Sequence, residues 1–384
     1  MHYFINYIFA NVITVVFRPF NFWYKRNIWI LGGSGGEYYS DNSATLHKHI
    51  DKNHPEIELY WIINKNSPDK NKIKNKNQVL YKHSLRANLL VMRAKVLIFT
   101  HGVRGDIMRA SSKKFNHAIT VDLFHGITAF KDKVNYPKND LVIATSEEEK
   151  NIKIKWPNNN EDNIIITGFP RFDDLYKIKD DIVPKKEIFY MPTWRPWLKK
   201  DYIDPSDRDI ESFKNSTFYT ELYNFLSSEK LSALLEEKGY TLNVFVHMNM
   251  HQYIEQFKFK DKNIKFLKSN INVQEYIIKS EVLITDYSSV AWDNLYLNKP
   301  TFFYIFDLDE YQSHVKSCIK MPEELFGPVG FNAEEMITNL EKYLTDNIDF
   351  RLYPIKELYN RFIKFDDDYN CERVINNIKE KIKI

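Results

Sequence analysis

Short apolar runs alternate along this chain with longer stretches whose apolar positions recur at helical spacing. "NIWILGG" (27–33) reads as a strand ending in a glycine turn, "SATLHKHIDKN" (43–53) as a helix and "IELYWII" (57–63) as a strand. The pattern continues with "SLRANLLVMRA" (84–94, helix), "KVLIFT" (95–100, strand), "AITVDLFHG" (118–126, strand and turn), "DLVIATS" (140–146, strand) and "NIIITGFPRFDDL" (163–175). The second half repeats it. "KEIFYMPTWRP" (186–196) and "YTLNVFVHMNMH" (240–251) are strands running into loops, and "EVLIT" (281–285) is a strand before the helix "SVAWDNLYLNK" (289–299) and the strand "KPTFFYIF" (299–306). Strands that are apolar throughout are buried on both faces, as in parallel sheets covered by helices. The stretch 197–220 is polar without clear periodicity and is expected to be an excursion. The charged run at 176–186 marks a domain boundary. The expectation is an α/β chain with two Rossmann-like domains facing a cleft, at 27–180 and 181–384, the latter carrying the terminal helices, behind an N-terminal segment at 1–26.

Composition narrows this picture. A length of 384 residues suits two domains, and 43% hydrophobic with 27% charged residues supplies a large core and excludes wholesale disorder. A formal net charge of +3, with basic residues spread along the chain, excludes a nucleic-acid binder that works by bulk charge. Cys318 and Cys371 form neither a zinc spacing nor a disulfide framework, which fits a reducing cytosolic setting. From Met1 to Phe17 there is no Asp, Glu, Lys or Arg, but Arg18 and Pro19 interrupt the run. It falls short of the ~20 apolar residues of a spanning helix, and it lacks the basic start and cleavage site of a secretory signal. Trp23, Tyr24, Lys25 and Arg26 suit a segment lying at a membrane surface; a buried first helix is the alternative.

Candidate chemistry sits at the strand ends. In "ITDYSSVAWDN" (284–294), Asp286, Tyr287, Ser288 and Ser289 separate a strand from a helix, where backbone N–H groups and two hydroxyls suit a phosphate. Ordinary helix capping accounts for the same residue types. "GGSGGEYYSDN" (32–42) fails the dinucleotide fingerprint because Tyr38 stands where a glycine is required, leaving a tight turn or an acceptor-binding loop. In "LFHG" (123–126), His125 can accept a proton near neutral pH and Gly126 permits close backbone approach; "THG" (100–102) repeats the pair. His247 and His251 have a metal-compatible spacing only on a helix, and the preceding strand argues against one. "MPTWRP" (191–196) and "TGFPRFD" (167–173) place Arg195 and Arg171, whose planar forks suit phosphate, after strands.

Taken together, "LFHG", "TGFPRFD", "MPTWRP", a strand-end histidine at 247 and "ITDYSSVAWDNLYLNKPTFFYIFDLDEY" resemble, in order and spacing, the CDP-glycerol glycerophosphotransferase family of teichoic acid and capsule synthesis, in particular its shorter, primase-like members. The resemblance covers about residues 25–360. It implies a GT-B-type fold and peripheral attachment at the cytoplasmic face of the bacterial membrane. It also implies transfer of glycerol phosphate from CDP-glycerol to a lipid-linked or glycopolymer hydroxyl, with release of CMP. By position it makes His125 the general base and His247 the second essential histidine. It assigns Gly126, Arg171, Thr193, Trp194, Arg195, Asp286, Ser288, Ser289 and Asp293 to donor binding. No cofactor is required beyond the co-substrate, although Mg²⁺ assistance stays compatible. Ile127, Thr128 and Met248 depart from the residues the family commonly has there, which touches the donor group. Ribitol phosphate or sugar transfer on the same fold, or a non-catalytic scaffold in a glycopolymer assembly complex, are the competing readings.

Overall fold

The computed structural model describes residues 5–9, 12, 27–108, 118–132, 137–198, 207–246, 248–257, 261–268, 270–346 and 348–383. Two compact units emerge, one from Met1–Ile127, Val134–Lys177 and Phe362–Ile384, the other from Thr128–Lys133 and Ile178–Arg361. The chain therefore changes unit after Lys177, a few residues before the expected boundary. The stretch 362–384 groups with the first unit rather than with the second, where the sequence reading puts it.

The first unit is a parallel sheet of β1 (Ile28–Leu31), β2 (Glu58–Ile63), β3 (Val79–Tyr81), β4 (Val96–Phe99), β5 (Ile119–Asp122), β6 (Leu141–Ala144) and β7 (Ile164–Ile166), in the order β3-β2-β1-β4-β5-β6-β7. Every residue of β1, β4 and β6 is buried, which is why these runs read as continuously apolar. Parallel neighbours need a crossover, and the helices, such as Asp41–Asn53 between β1 and β2, supply it. The strand order reverses between β1 and β4, whose register pairs Trp29 with Val96 and Leu31 with Ile98.

The second unit repeats the plan with β8 (Lys185–Met191), β9 (Thr241–Val244), β10 (Ile264–Phe266), β11 (Ser280–Thr285), β12 (Thr301–Tyr304) and β13 (Val329–Gly330), all parallel, in the order β10-β9-β8-β11-β12-β13. Its reversal lies between β8 and β11, where Thr285 pairs with Met191. Much of the stretch expected to be an excursion is helical instead: helices Asp207–Lys214 and Thr217–Leu226 cover the sheet. Phe213, Phe218, Leu222 and Phe225 bury their side chains in the core, and Ser216 caps the second helix by accepting from Tyr219 N. Sparse aromatics carry the apolar face there, so residue counts alone make it look polar.

The terminal helix Asn370–Lys383 is tied to the first unit at its start. Asp173 accepts Asn370 N and Nδ2, both at 2.8 Å, and Cys371 N at 2.9 Å, all of them buried. Gly168, at φ +74, lets Asn370 approach so closely that a Cβ would lie 2.0 Å from Asn370 Oδ1. Asp173→Ala leaves those donors without an acceptor and is expected to cost about 3 kcal/mol of stability. Denaturant unfolding checks this, and a loss below about 1 kcal/mol would show that apolar packing alone holds the helix end.

Candidate active site

In open α/β sheets, ligands bind beyond the carboxyl ends of the strands where the strand order reverses. In the first unit these are the loops after β1 and β4, and one buried carboxylate joins them. Asp106 Oδ1 accepts Gly35 N at 2.8 Å, while Oδ2 accepts Thr100 N at 2.9 Å and His101 N at 2.8 Å. Gly32 has no room for a side chain, since a Cβ would sit 2.7 Å from Asp106 O, and Gly35 holds φ +64. The glycine run is thus a tight loop wrapped on Asp106, and Lys82 Nζ ties it down through Gly35 O at 2.7 Å. Burial opposes ionisation of Asp106, but the bonds from His101 and from the N–H groups of Thr100 and His101 outweigh it, and its carboxyl titrates below the ordinary range.

His125 is exposed while residues 121–124 and 126–127 are buried. Its presentation follows from what holds the preceding backbone. Asp122 accepts Phe124 N at 3.0 Å, which supports the left-handed Phe124 at φ +51. Asn42, fully buried, donates to Phe124 O at 2.8 Å and Leu123 O at 3.3 Å, and its Oδ1 accepts Arg171 N at 3.1 Å. Burial pushes Asp122 up to about 7, against the bond from Phe124 N and the charge of Lys153. The His125 ring stacks on His101, with centroids 4.7 Å apart and planes 8° apart. Burial works against a charged His101, but Asp106, with Asp41 and Asp122 behind it, raises its pKa above the ordinary histidine value. Thr100 Oγ1 lies 2.8 Å from His101 Nδ1.

The arginine expected to face the donor here is an internal one. Arg171 is buried, pairs through Nη1 with Asp41 Oδ1 at 2.9 Å, and lies over the rings of Phe169 and Phe172. Gly126 is also buried.

In the second unit the loops after β8 and β11 are joined the same way. Asp286 accepts Thr193 N at 2.9 and 3.0 Å and Tyr287 N at 2.6 Å. Arg195 Nη1 donates to Asp286 Oδ2 at 2.9 Å, while Nε and Nη2 clasp Asp307 at 2.6 and 2.9 Å. Tyr287 OH adds a bond to Asp307 at 3.1 Å, and its ring stacks on Tyr311 at 3.6 Å. Arg195, Asp286 and Asp307 are 0%, 1% and 6% exposed. Burial opposes the charge of Arg195, yet Asp286 and Asp307 raise its pKa further. This corrects the expectation of a phosphate-facing arginine: the fork is fully engaged inside the unit and fixes the turn. Trp194 is likewise part of the hydrophobic core, and Asp293 is buried in helix Val290–Tyr296.

Ser288 and Ser289 are half-buried and follow the Asp286 turn. Ser289 is the N-cap residue of helix Val290–Tyr296, but its side chain makes no capping bond, so capping does not account for this serine. Thr193 Oγ1, on the adjoining loop, is buried without a hydrogen-bond partner. Lys131 belongs to the same unit, and burial lowers its pKa against the opposing charge of Asp286. His247 lies outside the described residues. The sequence reading missed Asp41, Asn42, Asp106 and Asp307, whose roles depend on distant partners. It noted His101 only as a second His-Gly pair, although two such pairs ending adjacent strands are the signal for the stack.

Two measurements check this account. By side-chain NMR, His101 should titrate above the ordinary histidine value of about 6.5. In Asp106→Asn the midpoint should fall, because the burial that lowers it stays while the nearest carboxylate goes; an unchanged midpoint rules out Asp106 as the cause. Arg195→Met leaves two carboxylates buried without their cation and should cost about 3–5 kcal/mol in urea unfolding, whereas a neutral result would mean water reaches the pair.

Comparison with known proteins fits this geometry. Over residues 14–380 the chain matches the family described as CDP-glycerol:poly(glycerophosphate) glycerophosphotransferase. It is 28% identical over 392 residues to the minor teichoic acid biosynthesis protein GgaB of Bacillus subtilis (strain 168), covering 97% of this chain and 41% of that protein. To the teichoic acid glycerol-phosphate transferase of Staphylococcus aureus (strain NCTC 8325 / PS 47) it is 22% identical over 386 residues, covering 92% and 93%. The solved structure of the wall teichoic acid polymerase TagF superposes with a TM-score of 0.67 at 20% identity, covering 99% of this chain and 98% of that one. That likeness shows the fold, an α/β architecture of GT-B type. The chain spans about half the length or less of the first curated relatives, 41%, 49% and 50%. With the family match running through both parallel sheets and both sets of strand-end loops, the chain belongs to the CDP-glycerol:poly(glycerophosphate) glycerophosphotransferase family.

Proposed function

We propose that this chain transfers glycerol phosphate from CDP-glycerol to a hydroxyl of a lipid-linked or glycopolymer acceptor, releasing CMP, in teichoic acid or capsule synthesis. The observation that carries the reading is His125, an exposed imidazole on an otherwise buried strand end, stacked on a second histidine whose charge Asp106 supports. In the reaction the acceptor oxygen bonds to the β-phosphorus as its proton passes to His125, and the bond from that phosphorus to the CMP oxygen breaks. His125, exposed at the strand end, is the group placed to take the acceptor's proton as base.

The donor's phosphates are assigned to the second unit. Ser288 and Ser289 offer hydroxyls, the latter not used in capping, Thr193 adds one without a hydrogen-bond partner, and Lys131 supplies a cation. Asp286 and Arg195 hold this turn in place, so its donors are oriented before substrate arrives. Arg171 does the same for the first unit through Asp41. Gly126, Trp194 and Asp293 shape the loops, and His247 is the second histidine by family position. This scheme requires no metal, and a Mg²⁺ requirement would show as loss of activity in chelator.

Attachment to the cytoplasmic face of the membrane completes the proposal. Among the described N-terminal residues, Tyr7 packs on the first unit's core and Asn6 donates to His83 O at 3.2 Å, whereas Ile5, Ile8, Phe9 and Val12 are 42–59% exposed. That one-sided exposure suits a segment lying in the lipid interface. Among the described residues no helix is long and apolar enough to cross a membrane.

The decisive experiment offers CDP-glycerol, CDP-ribitol and nucleotide sugars with a lipid-linked acceptor and follows nucleotide release. CDP-glycerol should be preferred, and His125→Ala should lose ~10²–10⁴-fold in turnover while donor affinity survives. Near-normal turnover in folded His125→Ala would remove His125 as the base; CMP release from CDP-ribitol alone would change the transferred group.

A further inference from the structure

The end of helix Asp41–Asn53 and the start of helix Asn370–Lys383 bring a second cluster of histidines onto one carboxylate. His49 Nε2 lies 2.6 Å from Glu372 Oε1, and His54 Nε2 lies 3.0 Å from the same oxygen. A five-residue spacing would put these histidines on different faces of a continuous helix. His54 instead follows the last helical residue with φ −129, which turns its ring back toward His49, with centroids 6.1 Å apart. We propose that His49, His54 and Glu372 form a binding site for a zinc-class divalent cation, with water completing the coordination.

The donor set supports this assignment. Two imidazoles and a carboxylate suit Zn²⁺, and they disfavour Mg²⁺, which prefers oxygen and water. The ligand atoms already lie within 4.8 Å of one another. Tetrahedral bonds of about 2 Å separate neighbouring ligand atoms by about 3.3 Å, so the two histidine–Glu372 separations of 2.6 and 3.0 Å open by less than about 1 Å to admit the ion. A supporting carboxylate is in place as well: Glu56 Oε1 is 3.3 Å from His54 Nδ1 and can accept its proton, leaving Nε2 free to ligate. Lys379 Nζ, 2.8 Å from Glu56 Oε1, balances that carboxylate, and its 3.2 Å approach to His54 Nδ1 belongs to the other tautomer, which metal binding at Nε2 would displace. His49 also comes within ligand distance of Asp173 and Cys371, but both are buried, and Asp173 is engaged by the start of the terminal helix. The bound ion is a staple between two helices and takes no part in phosphate transfer. One of those helices begins at Asp41 and Asn42, which hold Arg171 and the backbone before His125.

The test uses the full chain, stripped with chelator and titrated calorimetrically with Zn²⁺ at neutral pH, with Mg²⁺ as a control. One Zn²⁺ per chain should bind, Mg²⁺ should not compete, and the melting temperature should rise with Zn²⁺. Co²⁺ in the same site should show visible absorption of tetrahedral intensity. His49→Gln, His54→Gln and Glu372→Gln should each weaken Zn²⁺ binding at least about tenfold and abolish the thermal shift. Glu372→Gln, which alters one oxygen at the surface, keeps the test decisive if a histidine variant misfolds. Absence of stoichiometric Zn²⁺ binding by the wild-type chain overturns the proposal, and so does binding of undiminished affinity in the folded variants.

Discussion

Each half of this protein depends on a buried aspartate placed where its parallel sheet reverses direction. At a reversal the loops of two adjacent strands diverge to opposite faces, and their first N–H groups lose the ladder that satisfied the strands. In the first unit Asp106 collects the N–H groups of Gly35, Thr100 and His101. In the second, Asp286 collects those of Thr193 and Tyr287. Taking a carboxylate out of water costs several kcal/mol, and charge-assisted bonds from several donors are what offset it. Removing either aspartate would free two loops at once.

The same constraint decides which groups remain for chemistry. The aspartates engage the N–H groups of Gly35, Thr100, His101, Thr193 and Tyr287, and beside them stand the side chains of His125 on one unit and of Ser288 and Ser289 on the other. Those side chains stand on backbone fixed from behind, by Asn42 and Asp122 in one case and by Asp286 and Arg195 in the other. Preorganisation of this kind matters where stabilisation of developing charge must not require rearrangement during the reaction. It also explains why two arginines in phosphate-like motifs are internal. A guanidinium that holds two carboxylates by a planar fork is a better brace than a flexible lysine would be.

Much of the fold was legible because it is local. Continuously apolar strands such as β1, β4 and β6 announce burial on both faces, and His-Gly or Asp-Tyr-Ser-Ser after such strands marks loops at the productive edge of a sheet. What escaped the sequence is non-local. Asn42 meets the backbone of Arg171 across 129 residues and Phe124 across 82, and no local pattern encodes either contact. The helices of 207–226 were hidden because a few aromatics, Phe213, Phe218 and Phe225, do the work of a longer apolar stripe. The start of the terminal helix is fixed to the first unit by Asp173, whose importance only its three bonds reveal.

Charge bookkeeping at the second unit's turn adds a last constraint. Arg195 contributes one positive charge against the two negative charges of Asp286 and Asp307, so this buried group is an anionic base beneath a turn assigned to phosphates. An anion can be held there only if neutral donors face it directly while the carboxylates face away and stay paired. Both carboxylates are almost fully buried, with Asp307 clasped by Arg195 and Tyr287, whereas the serines are half-exposed. The segment Thr128–Lys133, although it follows His125 closely in sequence, is anchored in the second unit by Phe130 against Trp292 and by Ala129 O accepting Cys318 N at 2.9 Å. Within that unit burial lowers the pKa of Lys131, and the charge of Asp286 opposes this. The stretch "HGITAFKD" thus begins with His125 in one unit and carries Lys131, its last residue but one, in the other.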